Sequence, residues 1–297
     1  MELVAQNYSI QPSAATLVRS FNNDVYRIDS DTGVYVLKIY GTGRLEADEV
    51  RWEQQLAHEL VEAGVPVAAE VATTDGSLVG VLEAPEGPRW FALTRWVPGS
   101  KPQPPWSEGL YQSFGAALAR IHIAADAFTS TYPRRSMRQG DEPERVSAVL
   151  RPGSSQLRLV QRSAAAARAA LERFAEQGLH WGLRHGDASL DNIHVDEHGT
   201  VYFYDFDLAG PGWQVEDLAG AMSTEFASAF LRGYVDERPL LEVNLSALPS
   251  LRMLAHIDNL KFHLIDKPAA MGSATLAEGW VDRAFEGLAD AARDAGC

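Results

Sequence analysis

A cluster of prolines near residue 100 constrains the fold of this chain more than any other sequence feature. Within eight residues the chain has four prolines and a glycine: Pro98, Gly99, Pro102, Pro104 and Pro105. Proline fixes its own φ angle and has no amide donor, so neither a helix nor a central strand accommodates such a segment. The cluster therefore predicts a boundary near Val97, with one domain over residues 1–97 and a second over residues 98–297.

The part before this boundary has the pattern of strands joined by turns. Two β-branched and aromatic runs, Val25–Ile28 and Val34–Tyr40, flank a turn-rich break and predict a β-hairpin. An acid-rich segment from about residue 45 to residue 63 has apolar residues at every fourth position, with Gly64 where a C-cap glycine would stand. This segment predicts a helix, and further strand-like runs follow up to Val97.

Beyond the boundary the pattern becomes helical. One apolar stripe runs over residues 110–121, with Ser107 as its N-cap, and a second runs over residues 157–174 and closes at Gly178. The segment from about residue 216 to residue 295 is again mostly helical in pattern. A strand-rich first third followed by a helical remainder predicts an α+β protein in two lobes.

The composition argues against several classes of function. Lys and Arg number 26 and Asp and Glu number 40, which gives a net charge of −14. Nucleic acids and anionic membranes are bound mainly through positive charge, so neither is an expected partner, whereas a cationic small molecule would be tolerated well. No apolar run approaches the roughly 18 residues of a membrane span, and no signal-peptide pattern is present. Cys297 is the single cysteine, which excludes an internal disulfide, and the expected location is the cytosol.

The segment with the clearest chemical pattern contains a second predicted hairpin. Two short apolar runs, Ile193–Val195 and Val201–Tyr204, surround a polar turn. If this hairpin is centred near residue 198, the numbers of facing residues sum to about 396. Asn192 then lies beside the end of the second strand, diagonal to Asp205 and within reach of a shared ion.

This arrangement predicts a magnesium site with a free carboxylate beside it. Asn192 and Asp205 offer oxygen ligands of the hard kind that Mg²⁺ prefers, and Mg²⁺ completes its shell with waters and phosphates. Asp187 lies on the loop that enters the hairpin, near the ion but not needed as a ligand. Its carboxylate is therefore free to accept a proton from an attacking hydroxyl.

The order of these residues resembles that of kinases. A His-x-Asp-x-x-x-x-Asn motif at residues 185–192 has the spacing of the catalytic loop of protein kinases, and Asp-Phe-Asp at residues 205–207 stands where their DFG motif stands. The His-Gly-Asp form and the final Asp are more similar to aminoglycoside phosphotransferases, choline kinases and bacterial homoserine-kinase-like enzymes. The resemblance covers roughly residues 15 to 220. It implies a two-lobed protein-kinase-like fold, with an antiparallel sheet and one helix in an N-terminal nucleotide-binding lobe and a mainly helical lobe for catalysis and acceptor binding.

The resemblance also implies roles for the residues around the hairpin. Asp187 would be the catalytic base, and Asn192 and Asp205 would be the magnesium ligands. Asp207 would be a further metal ligand, a contact for an acceptor amine or a cap of the next segment. His185 is interpreted as an anchor for the loop backbone rather than as a general base.

A nucleotide site is implied upstream. Lys38 resembles the lysine that pairs with the α- and β-phosphates of ATP, and Glu53 resembles the helix glutamate that orients it. Asn23 matches a residue common in the nucleotide loop of this group. The stretch from Arg95 to Val97 is similar to the hinge whose backbone binds adenine. The implied cofactors are ATP and Mg²⁺.

Together the residues and the resemblance predict an ATP- and Mg²⁺-dependent O-phosphotransferase. The favoured acceptor is a hydroxyl of a small molecule, either an amine-bearing antibiotic of the aminoglycoside type or an amino alcohol. Family likeness places the acceptor pocket among the C-terminal helices, where Glu225, Asp236 and Asp258 are candidate carboxylates. Two alternatives stay open from sequence: a protein serine/threonine kinase of the bacterial stress-response type, and a catalytically silent nucleotide-binding kinase fold.

Overall fold

The computed structural model describes residues 1–137 and 140–297, and its first part is built on an antiparallel sheet. Six strands form this sheet: β1 (Pro12–Ser20), β2 (Asn23–Ser30), β3 (Gly33–Tyr40), β4 (Glu70–Val71), β5 (Gly80–Ala84) and β6 (Gly87–Arg95). They are arranged in the order β1-β2-β3-β6-β4, with β5 paired to β6, and each neighbouring pair is antiparallel. The predicted hairpin is confirmed as β2–β3.

The hairpin turn is tighter than the sequence pattern predicts. Ser30 pairs with Gly33, so the strands extend into the predicted five-residue break and leave two residues for the turn. The Ser30 hydroxyl donates to the Gly33 carbonyl at 2.9 Å and accepts the Thr32 amide at 3.2 Å. These side-chain bonds close the turn, which is why a polar stretch that reads as a loop is partly strand.

One face of the sheet packs against a short N-terminal helix, α1 (Glu2–Asn7). Together the helix, the segment that follows it and the sheet form an apolar core: Val4, Tyr8, Ile10, Ile28, Tyr35, Leu37, Ile39, Phe91 and Leu93. Because side chains alternate along a strand, the odd-numbered core residues of β3 direct Lys38 to the opposite face. Neither α1 nor β1 is predicted from sequence. Strand β1 is exposed along nearly its whole length, so it lacks the alternation of a half-buried strand.

The predicted helix after β3 is confirmed as α2 (Ala47–Glu62). Its N-terminus is stabilised by Glu49, whose carboxylate accepts the Glu46 amide at 3.1 Å. Gly64 follows the helix with φ of 75°, as expected for a C-cap glycine. Glu53 lies on a buried face of α2, and its side chain is 5% exposed.

The remainder of the chain is mainly helical, which confirms the α+β class. Its helices are α3 (Glu108–Ala127), α4 (Glu142–Val149), α5 (Ser155–Glu176), α6 (Ala227–Glu237), α7 (Glu242–Lys261), α8 (Lys267–Met271) and α9 (Trp280–Asp294). Ser107 caps α3 as predicted, because its side chain accepts the Leu110 amide at 3.2 Å. Four further strands form two small sheets: β7 (Trp181–Arg184) with β10 (Gly210–Trp213), and β8 (Ile193–Val195) with β9 (Val201–Phe203). No helix in the described part of the chain has the length and apolar character to cross a membrane.

The chain divides into two compact units. The first consists of residues 1–135, 185–210 and 225–238, and therefore contains the main sheet, α2, α3, α6 and the β8–β9 hairpin. The second consists of residues 136–184, 211–224 and 239–297. Its own apolar core comes mainly from α5, α7 and α9: Val160, Ala164, Ala167, Met253, Ile257, Leu260, Leu288 and Ala291. These two units do not have the bounds of the two lobes predicted from sequence, so the lobe boundary near Val97 stays a prediction.

Within the first unit, α3 and α6 approach each other closely at two glycines. A Cβ on Gly233 would lie 1.9 Å from the Gln112 carbonyl oxygen, and a Cβ on Gly115 would lie 2.1 Å from a carbonyl oxygen of α6. Phe114 of α3 also stacks on Phe203 of β9, with ring centroids 5.6 Å apart. The packing of these two helices therefore supports the hairpin that precedes Asp205.

We expect Gly233→Ala to lower the free energy of unfolding by about 1–3 kcal/mol, because the new methyl group would overlap backbone that cannot move aside. Urea unfolding followed by circular dichroism would measure the change. Gly109→Ala is the matched control, since no atom lies within 4 Å of a Cβ at that position of α3. Alanine should stabilise that helix by up to about 1 kcal/mol. Equal stability of Gly233→Ala and the wild type would contradict the close approach.

Candidate functional site

The first unit contains a cavity of about 470 Å³. Strands β2, β3 and β6, helix α2 and the β8–β9 hairpin contribute its mostly apolar wall: Val25, Val36, Ala57, Ala68, Ala92, Val97 and Phe206. Five of the predicted site residues with polar side chains also line it: Lys38, Glu53, Arg95, Asn192 and Asp205. An apolar cavity with a few charged groups is typical of a site for a small molecule or cofactor.

Lys38 is held between two carboxylates inside this cavity. Its Nζ lies 3.1 Å from Oε1 of Glu53 and 2.8 Å from Oδ1 of Asp205, and the lysine side chain is 13% exposed. Burial alone would lower the pKa of Lys38, but the charges of Asp205, Asp207 and Glu53 raise it well above its usual range. Burial raises the pKa of Glu53, and the nearby ammonium opposes that shift. Lys38 therefore stays charged, and the predicted pairing of Lys38 with Glu53 is present.

The predicted register of the second hairpin is confirmed. Ile193 pairs with Phe203 and Val195 with Val201, which centres the hairpin on residue 198. Beyond the last strand pair, the Tyr204 amide donates to the Asn192 carbonyl at 3.1 Å. Asn192, just before β8, and Asp205, shortly after β9, therefore lie side by side at the same end of the hairpin. Both line the cavity.

Asp205 has a backbone conformation that side-chain-bearing residues seldom adopt. Among the described residues it is the single non-glycine residue with positive φ, at 65°. Left-handed backbone of this kind costs about 1–3 kcal/mol and persists where the surroundings enforce it. Here the Phe206 side chain is buried against His185, with ring centroids 4.7 Å apart, while the Asp205 carboxylate contacts Lys38. The turn thus separates a buried side chain, Phe206, from a carboxylate that lines the cavity, Asp205.

His185 fixes the loop that carries Asp187. Its Nε2–H donates to the Tyr204 carbonyl at 3.2 Å, and its Nδ1 accepts the Asp187 amide at 3.3 Å. This pattern assigns the neutral Nε2–H tautomer. It agrees with the interpretation of His185 as an anchor, because both ring nitrogens bind backbone.

Asp187 and Asn192 are hydrogen-bonded to each other. The Asn192 amide nitrogen donates to the Asp187 carbonyl at 2.9 Å and to Oδ2 of the Asp187 carboxylate at 2.8 Å. Burial raises the pKa of Asp187, the Asn192 hydrogen bond opposes the shift, and the nearby charges of Asp205 and Asp207 reinforce it. The result is a carboxylate that accepts a proton more readily than an ordinary aspartate.

The donor set suits a magnesium ion completed by non-protein ligands. Both hydrogens of the Asn192 amide point toward Asp187, so its Oδ1 is directed elsewhere and is free to act as a ligand together with the Asp205 carboxylate. In the described part of the chain, no three His, Cys, Asp or Glu side chains form a cluster that could hold a metal by themselves. A cation here would complete its shell with water and phosphate oxygens, as Mg²⁺ does.

The structure places Asn23 and Asp207 together but away from the cavity wall. Asn23 donates to Oδ2 of Asp207 at 2.8 Å and accepts the Gly41 amide at 3.2 Å. Asp207 is buried, with 8% of its side chain exposed. The sequence-based roles of Asn23 as a nucleotide contact and Asp207 as a metal ligand stay predictions, and both side chains already have partners within the protein.

Two arginines of this region were missed by the sequence analysis. Arg44 contacts Asp207, with its Nη1 2.5 Å from Oδ2, and Arg134 donates to the carbonyls of Asp207 and Ala209 at 2.6 and 2.7 Å. The Arg134 guanidinium also lies over the Trp52 ring of α2 at 5.2 Å. No local pattern marks either residue, because their partners are distant in sequence.

The predicted hinge has one amide that is free to bind a base. The Arg95 amide donates to the Ala69 carbonyl at 2.7 Å, and the Trp96 amide donates to the Val34 carbonyl at 3.0 Å. The Val97 amide has no hydrogen-bond partner among the residues that the structure describes. Arg95 and Val97 both line the cavity, and their role as an adenine-binding hinge stays a prediction.

The candidate acceptor carboxylates do not share this cavity. Glu225 and Asp236 are exposed residues of the first unit, and Asp258 is a half-buried residue of α7 in the second unit. None of the three lines the cavity. Their predicted place in an acceptor pocket among the C-terminal helices therefore stays a prediction.

Comparisons with known proteins identify the family of the chain and proteins of similar fold. The phosphotransferase enzyme family matches residues 14–243 of the chain. Amicoumacin kinase of Bacillus subtilis is 25% identical over 274 residues, which cover 85% of this chain and 80% of that protein. The solved amicoumacin kinase hAmiN, in complex with AMP-PNP, Ca²⁺ and Ami, has a TM-score of 0.76 at 22% identity and covers 97% of this chain and 92% of its own. A microcompartment-associated aminopropanol kinase has a TM-score of 0.77 at 22% identity, with 98% and 94% covered.

The Asp207 carboxylate should make stability depend on pH in the acid range. Burial would raise its pKa, but Lys38, Arg44 and the Asn23 hydrogen bond hold that pKa well below its usual range. Because the folded-state pKa is depressed, the contribution is fully present above the unfolded pKa of about 3.9 and is lost as pH falls further. We expect Asp207→Asn to be less stable than the wild type at pH 7, with a shallower loss of stability below about pH 4. Urea unfolding at a series of pH values measures both, and parallel curves would contradict the assignment.

Proposed function

The chain belongs to the phosphotransferase enzyme family, and we propose that it transfers the γ-phosphoryl group of Mg²⁺-bound ATP to a hydroxyl of a small amine-bearing molecule. The observation that carries this proposal is the convergence of the Lys38–Glu53 pair, Asp205 and the Asp187–Asn192 pair around one part of the first unit. Each group has a distinct task in phosphoryl transfer, and an inert binding protein has no physical need for all of them.

The phosphate end of the nucleotide would be held by charge. The Lys38 ammonium would bind phosphate oxygens, and its bond to Glu53 at 3.1 Å restricts where that ammonium lies. Asn192 Oδ1 and the Asp205 carboxylate would hold the magnesium ion, which supplies neutralisation of the phosphate oxygens when bound. Because the transition state of phosphoryl transfer is loose, this positioning and charge compensation provide most of the acceleration.

Asp187 would act on the acceptor hydroxyl. Its Oδ2 accepts the Asn192 amide, which leaves Oδ1 to orient the hydroxyl and to take its proton. The acceptor oxygen forms a bond to the γ-phosphorus as the bond from that phosphorus to the ADP oxygen breaks. Since burial raises the pKa of Asp187, the carboxylate is matched to this proton transfer better than a solvated aspartate would be.

The class of acceptor is supported by charge and by the relatives. The chain has a net charge of −14, which favours approach of a cationic amine. Amicoumacin kinase and aminopropanol kinase are named for small-molecule acceptors, of which aminopropanol is an amino alcohol, and both resemble this chain over most of its length. An amine-bearing antibiotic or an amino alcohol is therefore the proposed acceptor class.

We expect ADP release from Mg²⁺-ATP with one class of amine-bearing alcohol and little release without it. A coupled ADP assay over aminoglycosides, other amine-bearing antibiotics, homoserine, choline, aminopropanol and a generic protein would identify the class.

Asp187→Asn should lower kcat by roughly 10²–10⁴-fold, the usual contribution of a general base, while nucleotide binding persists. Asp31→Asn, which removes the same charge from an exposed turn of the same unit, should leave kcat unchanged. Turnover retained in Asp187→Asn would refute the role of Asp187 as the base. Phosphorylation of the generic protein and of none of the small molecules would favour a protein kinase.

The hinge should favour ATP over GTP. Adenine offers an acceptor nitrogen toward the free Val97 amide and an amino donor toward the Arg95 carbonyl, whereas guanine presents the reverse pattern at this edge. The Arg95 amide, which could serve the reversed pattern, already donates to Ala69. We expect the KM for GTP to exceed that for ATP by about tenfold or more, the loss that corresponds to about 1.4 kcal/mol. Equal KM values would contradict this account of the hinge.

A further inference from the structure

Asp207 has a buried carboxylate that the proposed transfer does not use. Its Oδ2 accepts from Asn23 Nδ2 at 2.8 Å and from Arg44 Nη1 at 2.5 Å, and Lys38 Nζ lies 3.9 Å away. A carboxylate oxygen has two lone pairs, so the two closer donors saturate Oδ2. A magnesium ion bound at the usual distance of about 2.1 Å from that oxygen would have to displace one of them.

The same cluster joins three segments of the first unit that are distant in sequence. Asn23 is the first residue of β2, and its amide oxygen accepts the Gly41 amide at 3.2 Å. Arg44 lies in the connection from β3 to α2, where its carbonyl accepts a hydrogen bond from Arg135 at 2.6 Å. Asp207 lies in the short 3₁₀ turn that follows Asp205. The carboxylate therefore ties the start of β2 and the approach to α2 to the segment that carries Asp205.

The backbone of Asp207 is tied to α2 as well. Arg134 donates to the carbonyls of Asp207 and Ala209, and its guanidinium is stacked over Trp52. Side-chain and main-chain contacts thus fix one residue from two directions. Asp205, two residues earlier, needs such support because its positive φ is unfavourable unless the surroundings enforce it.

We propose that Asp207 acts as a positioning residue: with Arg44 and Asn23 it holds Asp205 and the start of β2 in the geometry that binds Mg²⁺-ATP. The proposal rests on the kinase function proposed above. Removing the carboxylate leaves the Arg44 charge, on a side chain that is 21% exposed, without its counter-ion. Nucleotide binding should then weaken while the requirement for metal stays the same.

The test is a calorimetric titration of a non-hydrolysable ATP analogue at a series of Mg²⁺ concentrations. We expect Asp207→Asn to weaken analogue binding by about tenfold at every Mg²⁺ concentration, with the Mg²⁺ midpoint within about twofold of wild type. Asp205→Asn should instead move that midpoint to higher Mg²⁺. A midpoint shift in Asp207→Asn equal to that of Asp205→Asn, or restoration of its affinity by Mn²⁺, would overturn the proposal.

Arg44 provides the second arm of the test. Arg44→Met should weaken analogue binding as much as Asp207→Asn does, and the double variant should be little worse than either, because one interaction is lost in all three. Arg44→Lys keeps the charge and should recover most of the affinity. The control is Arg120→Met, which removes an exposed pair of the same 2.5 Å length with Glu237 and should leave binding unchanged. Losses that multiply in the double variant would show that the two residues act separately.

Thermal unfolding of each variant separates a positioning effect from misfolding. Should Asp207→Asn fail to fold, Arg44→Met and Arg44→Lys test the same pair from its more exposed member. The titration of the ATP analogue needs no acceptor. It can therefore be interpreted even if no acceptor in the ADP assay is phosphorylated. If the wild type does not bind the analogue with Mg²⁺, the proposed function fails, whereas a metal-dependent defect in Asp207→Asn overturns only the positioning role.

Discussion

A buried lysine among carboxylates is the interaction on which the candidate site depends. A charged ammonium in a largely desolvated position is costly unless carboxylates compensate it, and Lys38 meets this condition through Glu53 on α2 and Asp205 after β9. Each partner comes from a different element, so the ammonium can be neutralised only when the sheet, the helix and the hairpin are all in place. The electrostatic requirement of one side chain thus specifies the packing of three elements.

The supports of this lysine are themselves supported by ordinary packing. The β8–β9 hairpin rests on α3 through Phe203 and Phe114, and α3 can lie close to α6 because Gly115 and Gly233 have no side chains. His185 adds backbone hydrogen bonds that fix the loop before the hairpin. A contact between two helices that carry none of these charged groups therefore contributes to where the Asp205 carboxylate lies.

How much of this was predictable depends on the range of each interaction. The register of β8–β9 follows from the period-two pattern and a centred turn, and Ser107 is recognisable as a cap because its partner is three residues away. Strand β1 was missed because it is exposed and has no apolar alternation. Arg44 was missed because its partner lies 163 residues later, and no local rule links residues at that separation.

The first unit is formed by three separate stretches of the chain, and this affects the order in which its parts are available to fold during synthesis. Lys38 and Asp205 are 167 residues apart, and residues 136–184, which belong to the other unit, are made between them. At a translation rate of about 5–20 residues per second, Lys38 precedes Asp205 by roughly 8 to 33 seconds. For that interval the nascent sheet carries a cation whose main counter-ion does not yet exist, so the cavity forms only after the ribosome has passed the hairpin.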